Sequence, residues 1–342
     1  MTASANPTIR PRGEAAEPLL AVEDLNIFFR SGRSEVQAID SVSFSVGRGE
    51  RLGIVGESGC GKSVTGLALL GLLPRFQSRV TGKVLFEGRD LMALRRSQMR
   101  AIAGARISMV FQEPMRALDP VFTVGEQISE TLRAHTGLSR RAAREKVIEA
   151  LAEVGIPSPA RRYDDYPHAL SGGMQQRVMI ATALICRPDL IIADEPTTAL
   201  DVTVQAQIID LLYRINEETG TALIFITHDL GVVAELCERV LVFYAGQVVE
   251  DAPIESVYRA PLHPYTSALF QSMPGLGMRG QPLPSIGGRV PSLADLPAGC
   301  RFAERCRHAQ PQCEAPQPLA AVDGRRVRCI RSGELRLPGA IR

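Results

Sequence analysis

A glycine-rich stretch between a short apolar run and a helix-like segment constrains the fold of this chain more than any other feature. Residues 56–63 read Gly56-Glu57-Ser58-Gly59-Cys60-Gly61-Lys62-Ser63 and fit the P-loop pattern G-x-x-x-x-G-K-[ST]. The apolar run 51–55 before the loop predicts a buried strand, and 63–73 after it predicts a helix. A strand, this loop and a helix in succession predict an α/β fold with a phosphate site at the loop.

The residue types of the loop suit triphosphate chemistry. Glycines let backbone N–H groups converge on phosphate oxygens, and the helix that follows adds its positive dipole end. Lys62 would supply a point charge for the β and γ phosphates, and the Ser63 hydroxyl would ligate Mg²⁺. The predicted nucleotide contacts of this segment are Gly56, Ser58, Gly59, Cys60, Gly61, Lys62, Ser63 and Val64.

The hydrophobic pattern predicts three kinds of region along the chain. Alternating segments indicate half-buried antiparallel strands at 20–29, 38–46 and 83–86. Continuous β-branched runs indicate strands of a parallel sheet at 51–55, 190–193, 222–227 and 240–244, with helices at 63–73, 205–218 and 230–236 between them. Between 112 and 170 only helical periodicity is found, at 124–134 and 140–154, which predicts an inserted helical subdomain.

Two acidic residues end one of the predicted parallel strands. Asp194 and Glu195 follow the apolar run 190–193, where an open parallel sheet presents residues to its ligand. Asp194 would hold Mg²⁺, through water. Glu195 could polarise the attacking water as general base, although an acidic pair at this place could also merely cap the next helix.

A third motif carries a family resemblance. Leu170-Ser171-Gly172-Gly173-Met174-Gln175-Gln176-Arg177 resembles the signature sequence of the ATP-binding cassette (ABC) ATPases. The resemblance extends from residue 20 to about 260. It implies a P-loop NTPase of the ABC type, with a RecA-like parallel core, an antiparallel β subdomain and a helical subdomain at about 113–178.

The same resemblance implies further site residues, in the order that the family has them. Gln112 matches the Q-loop glutamine, which reports on Mg²⁺, and Ala199-Leu200-Asp201 matches the D-loop. His228 matches the switch histidine at the γ-phosphate. Phe29 resembles the aromatic residue that stacks on adenine, with Phe28 as the competing candidate. Catalytic roles are thereby implied for Lys62, Gln112, Glu195 and His228.

The resemblance also implies a dimeric mechanism. Two cassettes would sandwich two ATP molecules, and the signature segment of one chain would complete the site of its mate. The residues predicted to contact the partner's nucleotide are Ser171, Gly172, Gly173, Gln175 and, in the D-loop, Asp201. ATP binding would close the pair and hydrolysis would release it.

The tail narrows the resemblance to one group of importers. His263-Pro264-Tyr265-Thr266, Pro297-Ala298-Gly299-Cys300 and Arg305-Cys306 resemble the C-terminal extension of oligopeptide and dipeptide importer ATPases, a group that includes nickel importers. The expected division of the chain is a disordered lead at 1–18, a cassette at 19–260 and a separate extension at 261–342. Peptide import is the leading function, with nickel import as the alternative.

Four cysteines of the tail predict a metal centre. Cys300, Cys306, Cys313 and Cys329 have the spacing C-x5-C-x6-C-x15-C. Structural zinc prefers closer pairs, whereas a four-iron four-sulfur cluster suits four thiolates at irregular spacing. The cluster is favoured, and zinc or unligated thiols remain open.

Charge and hydropathy limit the kinds of partner that the chain can bind. The 39 Lys and Arg residues nearly balance the 37 Asp and Glu residues, so charge gives no support to nucleic-acid binding. No run approaches the roughly 18 apolar residues of a spanning helix, so any connection to a membrane must come through partners. The resemblance to importer ATPases implies a peripheral protein on the cytoplasmic face of the inner membrane, held by permease subunits. The implied partners are a second, paralogous cassette, two permeases and an extracytoplasmic peptide-binding protein. The rival hypothesis is a soluble ABC ATPase acting on ribosomes, DNA or iron–sulfur assembly.

Overall fold

The structure of the chain is a computed structural model that describes residues 17–32, 34–198, 200–272 and 286–340. The predicted disordered lead at 1–18 lies outside the described residues, except for its last two positions.

Strands and helices alternate over most of the described chain. The strands are β1 Leu20–Ser31, β2 Ser34–Val46, β3 Arg51–Val55, β4 Ser78–Phe86, β5 Arg89–Asp90, β6 Ile107–Val110, β7 Leu190–Asp194, β8 Ala222–Thr227, β9 Arg239–Tyr244, β10 Gln247–Pro253, β11 Ala320–Val322 and β12 Arg325–Val327. The α-helices are α1 Lys62–Leu69, α2 Arg96–Ile102, α3 Pro114–Ala117, α4 Val124–His135, α5 Arg140–Glu153, α6 Pro159–Arg162, α7 Gly172–Leu184, α8 Val202–Thr219, α9 Leu230–Leu236, α10 Ile254–Arg259 and α11 Pro264–Gln271.

The predicted parallel sheet forms the centre of the molecule. Its strand order is β11-β12-β10-β9-β3-β8-β7-β6. The strands from β9 to β6 run parallel, and β10, β12 and β11 continue the sheet in antiparallel pairs. β7 and β8 are buried along their whole length because both faces of the sheet are covered, one by helices such as α7 and α8 and the other by α1 and the antiparallel strands. This explains their continuous apolar sequences.

A second, antiparallel sheet has the order β2-β1-β4-β5. Its strands alternate between buried and exposed positions, as in β2, because one face packs on the core and the other faces solvent. The elements between β6 and β7 are helical throughout, from α3 to α7, in agreement with the predicted helical insertion.

The helix after the glycine-rich loop ends earlier than predicted. The sequence predicts it to residue 73, but α1 ends at Leu69. Gly71 adopts a φ of 63°, and the N–H groups of Gly71 and Leu72 donate to the carbonyls of Ala68 and Leu67. This is a Schellman motif, which ends a helix at a glycine although the apolar sequence continues.

The C-terminal extension contacts the central sheet directly. Glu250 and Asp251 of β10 pair with Val327 and Arg326 of β12, and Val327 is fully buried. The extension predicted at 261–342 therefore contacts the cassette along a strand of its central sheet. The tail supplies edge strands that cover the open edge of β10, which the short polar sequence around β12 did not reveal.

Within the described ranges, no helix has the length and apolar character needed to cross a membrane.

Candidate functional site

The carboxyl ends of β3, β6, β7 and β8 meet along one edge of the central sheet. The glycine-rich loop follows β3, and the acidic pair lies at the end of β7. Gln112 follows β6, and His228 follows β8. Because these strands are parallel neighbours, residues far apart in the sequence lie side by side, at the edge where open α/β sheets bind ligands.

The loop between β3 and α1 depends on glycines. Gly56 has a φ of 152°, and a Cβ at this position would lie 2.2 Å from the carbonyl oxygen of Phe243. Gly61 has a φ of 103°, where a Cβ would lie 2.3 Å from Ile39. A larger residue at Gly56 would displace the loop backbone, and one at Gly61 would strain it and push Ile39 aside, so both glycines preserve the loop shape that phosphate binding would need. Ser58 and Gly59 are exposed at the tip of the loop.

Lys62 lies under the loop that it follows. Its side chain is buried, and Nζ donates to the carbonyl oxygens of Gly56 at 2.8 Å and Glu57 at 3.2 Å. Cys60 is also buried, with Sγ 3.9 Å from Nζ. The ammonium group therefore lies inside the loop, where a phosphate oxygen could replace a carbonyl as its acceptor.

Ser63 and Asp194 are brought together although 131 residues separate them in the sequence. The Ser63 hydroxyl donates to Oδ1 of Asp194 at 2.8 Å. Burial raises the pKa of Asp194, and the charge of Glu195 adds to this, while Ser63 and Lys62 oppose it. A buried carboxylate beside a hydroxyl is a donor set that suits Mg²⁺, because the cation would relieve the cost of burying the charge.

Glu195 is held in a strained backbone conformation. Its φ is 45°, in the left-handed region, and its N–H donates to the carbonyl of Ile226 at 2.8 Å. Such strain is retained where the surrounding structure fixes the residue, often at functional sites.

Three side chains surround the carboxylate of Glu195. The hydroxyl of Thr198 donates to Oε2 at 2.8 Å, and Nε2 of Gln112 donates to the same oxygen at 3.1 Å. Nδ1 of His228 lies 3.5 Å from Oε1, and the His228 side chain is 62% exposed. The structure thus brings together Gln112, Glu195 and His228 as the sequence predicts.

The signature segment begins helix α7. The hydroxyl of Ser171 accepts the N–H of Met174 at 3.4 Å as a helix cap, and Ser171 and Gly172 are exposed. Gly173 is half-buried against Val204. Two further observations place the D-loop beside it: Ser171, Gly173 and Asp201 line one surface cleft, and Asp201 caps α8 by accepting the N–H of Val204 at 3.0 Å. Ala199 of the predicted D-loop lies outside the described residues.

Gln175 differs from the other signature residues. It is buried, and its Nε2 donates to the carbonyl oxygens of Pro167 at 2.8 Å and Leu170 at 3.2 Å. A direct nucleotide contact by this side chain does not fit, because its amide is turned inward. It holds the segment that leads into Ser171.

The two aromatic candidates for adenine stacking are neighbours on β1. The guanidinium of Arg79 lies 4.0 Å from the ring centre of Phe28, so one face of that ring is covered. Phe29 is half-buried against the core cluster that also includes Ile39 and Cys60. Val64, the last predicted contact of the loop, packs against the same cluster.

The four tail cysteines lie near one another, yet the described residues contain no group of three His, Cys, Asp or Glu side chains placed to hold a metal ion. The Cys300 N–H donates to the carbonyl of Cys313 at 2.8 Å. Burial, with the charges of the other three thiols, raises the pKa of Cys329 to about 11. The predicted iron–sulfur cluster or zinc site is therefore not supported by the placement of these side chains.

Comparison with known proteins agrees with this geometry. The family model for "ABC transporter" matches residues 39–198, and the model for "oligopeptide/dipeptide transporter, C-terminal region" matches residues 249–313. The fold and site define an ATP-binding cassette ATPase. A Brucella ovis protein, provisionally named a peptide import ATP-binding protein, is 50% identical over 333 residues, covering 93% of this chain and 98% of the relative. A probable peptide ABC transporter ATP-binding protein of Sinorhizobium fredii is 51% identical over 324 residues, covering 94% and 97%. The chain belongs to this family of ABC transporter ATP-binding proteins.

Solved structures lead to the same class. A dimeric ATP-binding cassette in a post-hydrolysis state, bound to ADP and inorganic phosphate, is 28% identical, with a TM-score of 0.62. It covers 69% of this chain and 98% of its own length. The cbiO1 protein of Clostridium perfringens, part of an ABC transporter complex, is 29% identical with a TM-score of 0.60, covering 71% and 91%.

Sequence reasoning missed Thr198 as a site residue. A threonine three residues after an acidic residue is ordinary turn chemistry, and only the fold shows that its hydroxyl reaches Oε2 of Glu195.

Proposed function

We propose that this chain is the ATP-hydrolysing subunit that powers import of dipeptides or oligopeptides through a membrane complex. The observation that carries the proposal is the match of residues 249–313 to the oligopeptide/dipeptide transporter C-terminal region, beside a complete set of nucleotide-site motifs. The near full-length identity to proteins named for peptide import supports the same cargo class. The cassette would comprise residues 19–260, with a helical subdomain at about 113–178, and the extension residues 261–342.

The proposed chemistry is in-line attack of water on the γ-phosphorus. The backbone of residues 56–63 and the Lys62 ammonium bind the phosphates and neutralise their charge. Glu195 accepts a proton from the attacking water as the new P–O bond forms and the bond to the β-phosphate oxygen breaks, leaving ADP and inorganic phosphate. Gln112 and Thr198 orient the Glu195 carboxylate, and His228 donates toward the γ-phosphate.

Ser63, Asp194 and Gln112 are the residues we propose for Mg²⁺. Magnesium would supply charge neutralisation for the β and γ phosphate oxygens when bound. The Ser63 hydroxyl would exchange its present acceptor, Asp194, for the metal, and Asp194 would act through water. We further propose Phe29 as the adenine-stacking residue, because the ring of its competitor Phe28 is already covered by Arg79.

We propose that a second cassette, a paralogue of this chain, completes the site. The exposed Ser171 and Gly172, with half-buried Gly173 and the neighbouring Asp201, would face the nucleotide bound to the partner's P-loop. The dimeric state of the solved cassette bound to ADP and phosphate supports this arrangement. Cysteines introduced at Ser58 and Ser171 should crosslink between two subunits on addition of ATP. Crosslinks confined to a single polypeptide would refute the arrangement.

Two permeases and an extracytoplasmic peptide-binding protein are the remaining proposed partners, with the cassette held on the cytoplasmic face of the inner membrane. The deciding experiment isolates the native complex from membranes through a tag on this chain and identifies the copurifying proteins. Permeases and a binding protein that takes up labelled peptide, with uptake lost in Lys62→Ala, are expected. Copurification of ribosomes, or uptake of nickel and not of peptide, would overturn peptide import.

For the tail cysteines we propose a metal centre, a four-iron four-sulfur cluster in preference to zinc. Support comes from Cys300, Cys306 and Cys329, whose pKa values are raised by burial and further by neighbouring thiols. The described side chains are not placed to hold a metal ion, so the ligands would have to move together to bind it. The elevated pKa of Cys329 means that metal binding must release a proton. Protein purified without oxygen should absorb at about 400 nm and contain iron. Zinc without iron, or neither metal, would refute the cluster.

A further inference from the structure

Glu57, the second residue of the P-loop, is bound by the C-terminal extension. Arg305 donates through Nη1 to Oε2 of Glu57 at 2.7 Å and through Nη2 to Oε1 at 3.0 Å. The Arg305 side chain is only 4% exposed. A forked, two-bond pair with a buried guanidinium is more strongly held than an ion pair on the surface, because little water competes for it.

The backbone of Glu57 is also fixed. Its N–H donates to the hydroxyl oxygen of Tyr265 at 3.0 Å, and Tyr265 is fully buried in the first turn of α11. Its carbonyl accepts a hydrogen bond from Lys62 at 3.2 Å. Glu57 is thus held at its carboxylate, its N–H and its carbonyl, and two of these three contacts come from the extension.

Arg305 is itself rigidly placed. It donates to the carbonyls of Gly287 at 2.9 Å and Ile286 at 3.2 Å, and to the hydroxyl of Tyr244 at 3.2 Å. The ring of Phe302 lies beneath the guanidinium, 5.9 Å away, and packs edge-on against Tyr244. A group with all these partners cannot follow a moving carboxylate, so the carboxylate is held where the extension puts it.

We propose that Arg305 and Tyr265 are positioning residues for ATP binding, through which the C-terminal extension sets the shape and the charge of the P-loop. The shape matters because the loop binds phosphate through N–H groups that must converge on one point. The charge matters because the Glu57 carboxylate lies beside the site of a triphosphate and would repel it unless a cation neutralised it. This inference rests on the proposed nucleotide role of residues 56–63, and it is independent of the cargo.

Binding of a fluorescent ATP analogue with Mg²⁺ to the full-length chain tests the proposal. Arg305→Met keeps the bulk of the side chain and removes its charge, and it should raise the Kd about 10-fold, since small displacements of binding groups are costly. In the assembled transporter the KM for ATP should rise by a similar factor, with kcat at saturating ATP within about twofold of the wild type. Tyr265→Phe removes only the acceptor oxygen and should raise the Kd by a smaller factor.

The matched control is Arg326→Met. Arg326 also belongs to the extension and also pairs with a cassette carboxylate, Asp251 on β10, but that pair does not touch the P-loop. Its Kd should remain that of the wild type. Equal loss of affinity in the two Arg→Met variants would show a general effect of loosening the extension and would overturn the proposal.

A second substitution separates the effect of the unpaired Glu57 charge from a general disturbance of the fold. Adding Glu57→Gln to Arg305→Met removes the unpaired carboxylate, and it should recover part of the lost affinity. An unchanged Kd in both Arg305→Met and Tyr265→Phe would overturn the proposal. Lys62→Ala serves as the reference. If that variant binds the ATP analogue normally, the proposed nucleotide role of the P-loop is refuted. If Lys62→Ala loses binding while Arg305→Met and Tyr265→Phe both bind normally, only the inference about the extension is refuted.

Discussion

Glu195 combines features that cost folding free energy and are uncommon in a residue with only a structural role. It has a positive φ, a half-buried carboxylate and hydrogen bonds from two side chains, one in the same turn and one that follows strand β6. The peptide N–H bonded to Ile226 ties its backbone to the neighbouring strand β8, so the strained conformation is imposed by the sheet. A carboxylate presented in this way is ready to accept a proton without reorganisation.

We expect Glu195→Gln to bind ATP with near-normal affinity but to hydrolyse it about 10²- to 10⁴-fold more slowly, the usual contribution of a general base. This corresponds to about 3 to 5 kcal/mol of activation free energy. The measurement is phosphate release by the assembled complex, beside equilibrium binding of ATP. Turnover within a few-fold of the wild type would remove the proposed role.

Thr198→Val should have a smaller effect of the same kind. The variant keeps the shape of the side chain and removes the hydroxyl that donates to Oε2 of Glu195 at 2.8 Å. Loss of one hydrogen bond that orients the base should lower kcat about 2- to 10-fold, with little change in KM. If Thr198→Val changed KM and left kcat alone, the hydroxyl would act on substrate binding and not on the base.

At the scale of elements, the decisive feature is the way in which strands from the tail continue the central sheet. β12 pairs with β10, and β10 pairs with β9, whose other neighbour is the P-loop strand β3. The extension therefore reaches the nucleotide site both through the sheet and through the contacts of Arg305 and Tyr265.

We expect Val327→Ala to destabilise the protein by about 2 kcal/mol, because it leaves a cavity in place of a fully buried side chain on β12, the strand that pairs with β10. Urea unfolding of the full chain measures this change. Ile330→Ala is the matched control, since Ile330 is 53% exposed and its truncation should cost little. Equal stability of the two variants would mean that the β11–β12 pair does not contribute to the folded core.

For the whole molecule, a buried histidine links stability to pH. Burial, assisted by the charge of Arg328, lowers the pKa of His263 from 6.5 to about 3. Its Nδ1 accepts the backbone N–H of Tyr265 at 3.1 Å, and the backbone N–H of His263 donates to the buried carboxylate of Glu250 at 3.0 Å. The backbone of His263 thus joins the extension to the cassette, while its neutral imidazole packs within the extension near the ring of Phe302.

The sign of the pH effect follows from proton linkage. Between about pH 6.5 and pH 3 the unfolded chain protonates His263 and the folded chain does not, so this group favours unfolding increasingly as the pH falls through that window. The contribution of His263 to the change in unfolding free energy with pH approaches about 1.4 kcal/mol per pH unit. His263→Gln should flatten the pH dependence of the unfolding free energy in this range. The exposed His308→Gln should leave it unchanged, and an unaltered slope in His263→Gln would refute the linkage.

The sequence by itself determined the elements whose signals are local. Helix α9 and strand β8 have the predicted bounds, because capping residues and a continuous apolar run mark them without help from distant residues. The P-loop and the acidic pair could be recognised because phosphate and metal chemistry demand particular residue types at fixed spacing. The strand order itself does not follow chain order, since β3 lies between β8 and β9. These groups were expected to meet because they belong to one recognised set of nucleotide-site motifs.

Only the tertiary structure decided what depends on distant contacts. Gln175 belongs to a recognised motif but is turned inward by carbonyls of the preceding segment, and Thr198 reaches Glu195 through a turn with no distinctive sequence. Arg305 is an arginine in a tail of irregular structure, and its pairing with Glu57 spans 248 residues of chain. Such contacts arise when separate segments pack together, and their physical basis is the burial and geometry of the folded chain, which no local pattern encodes.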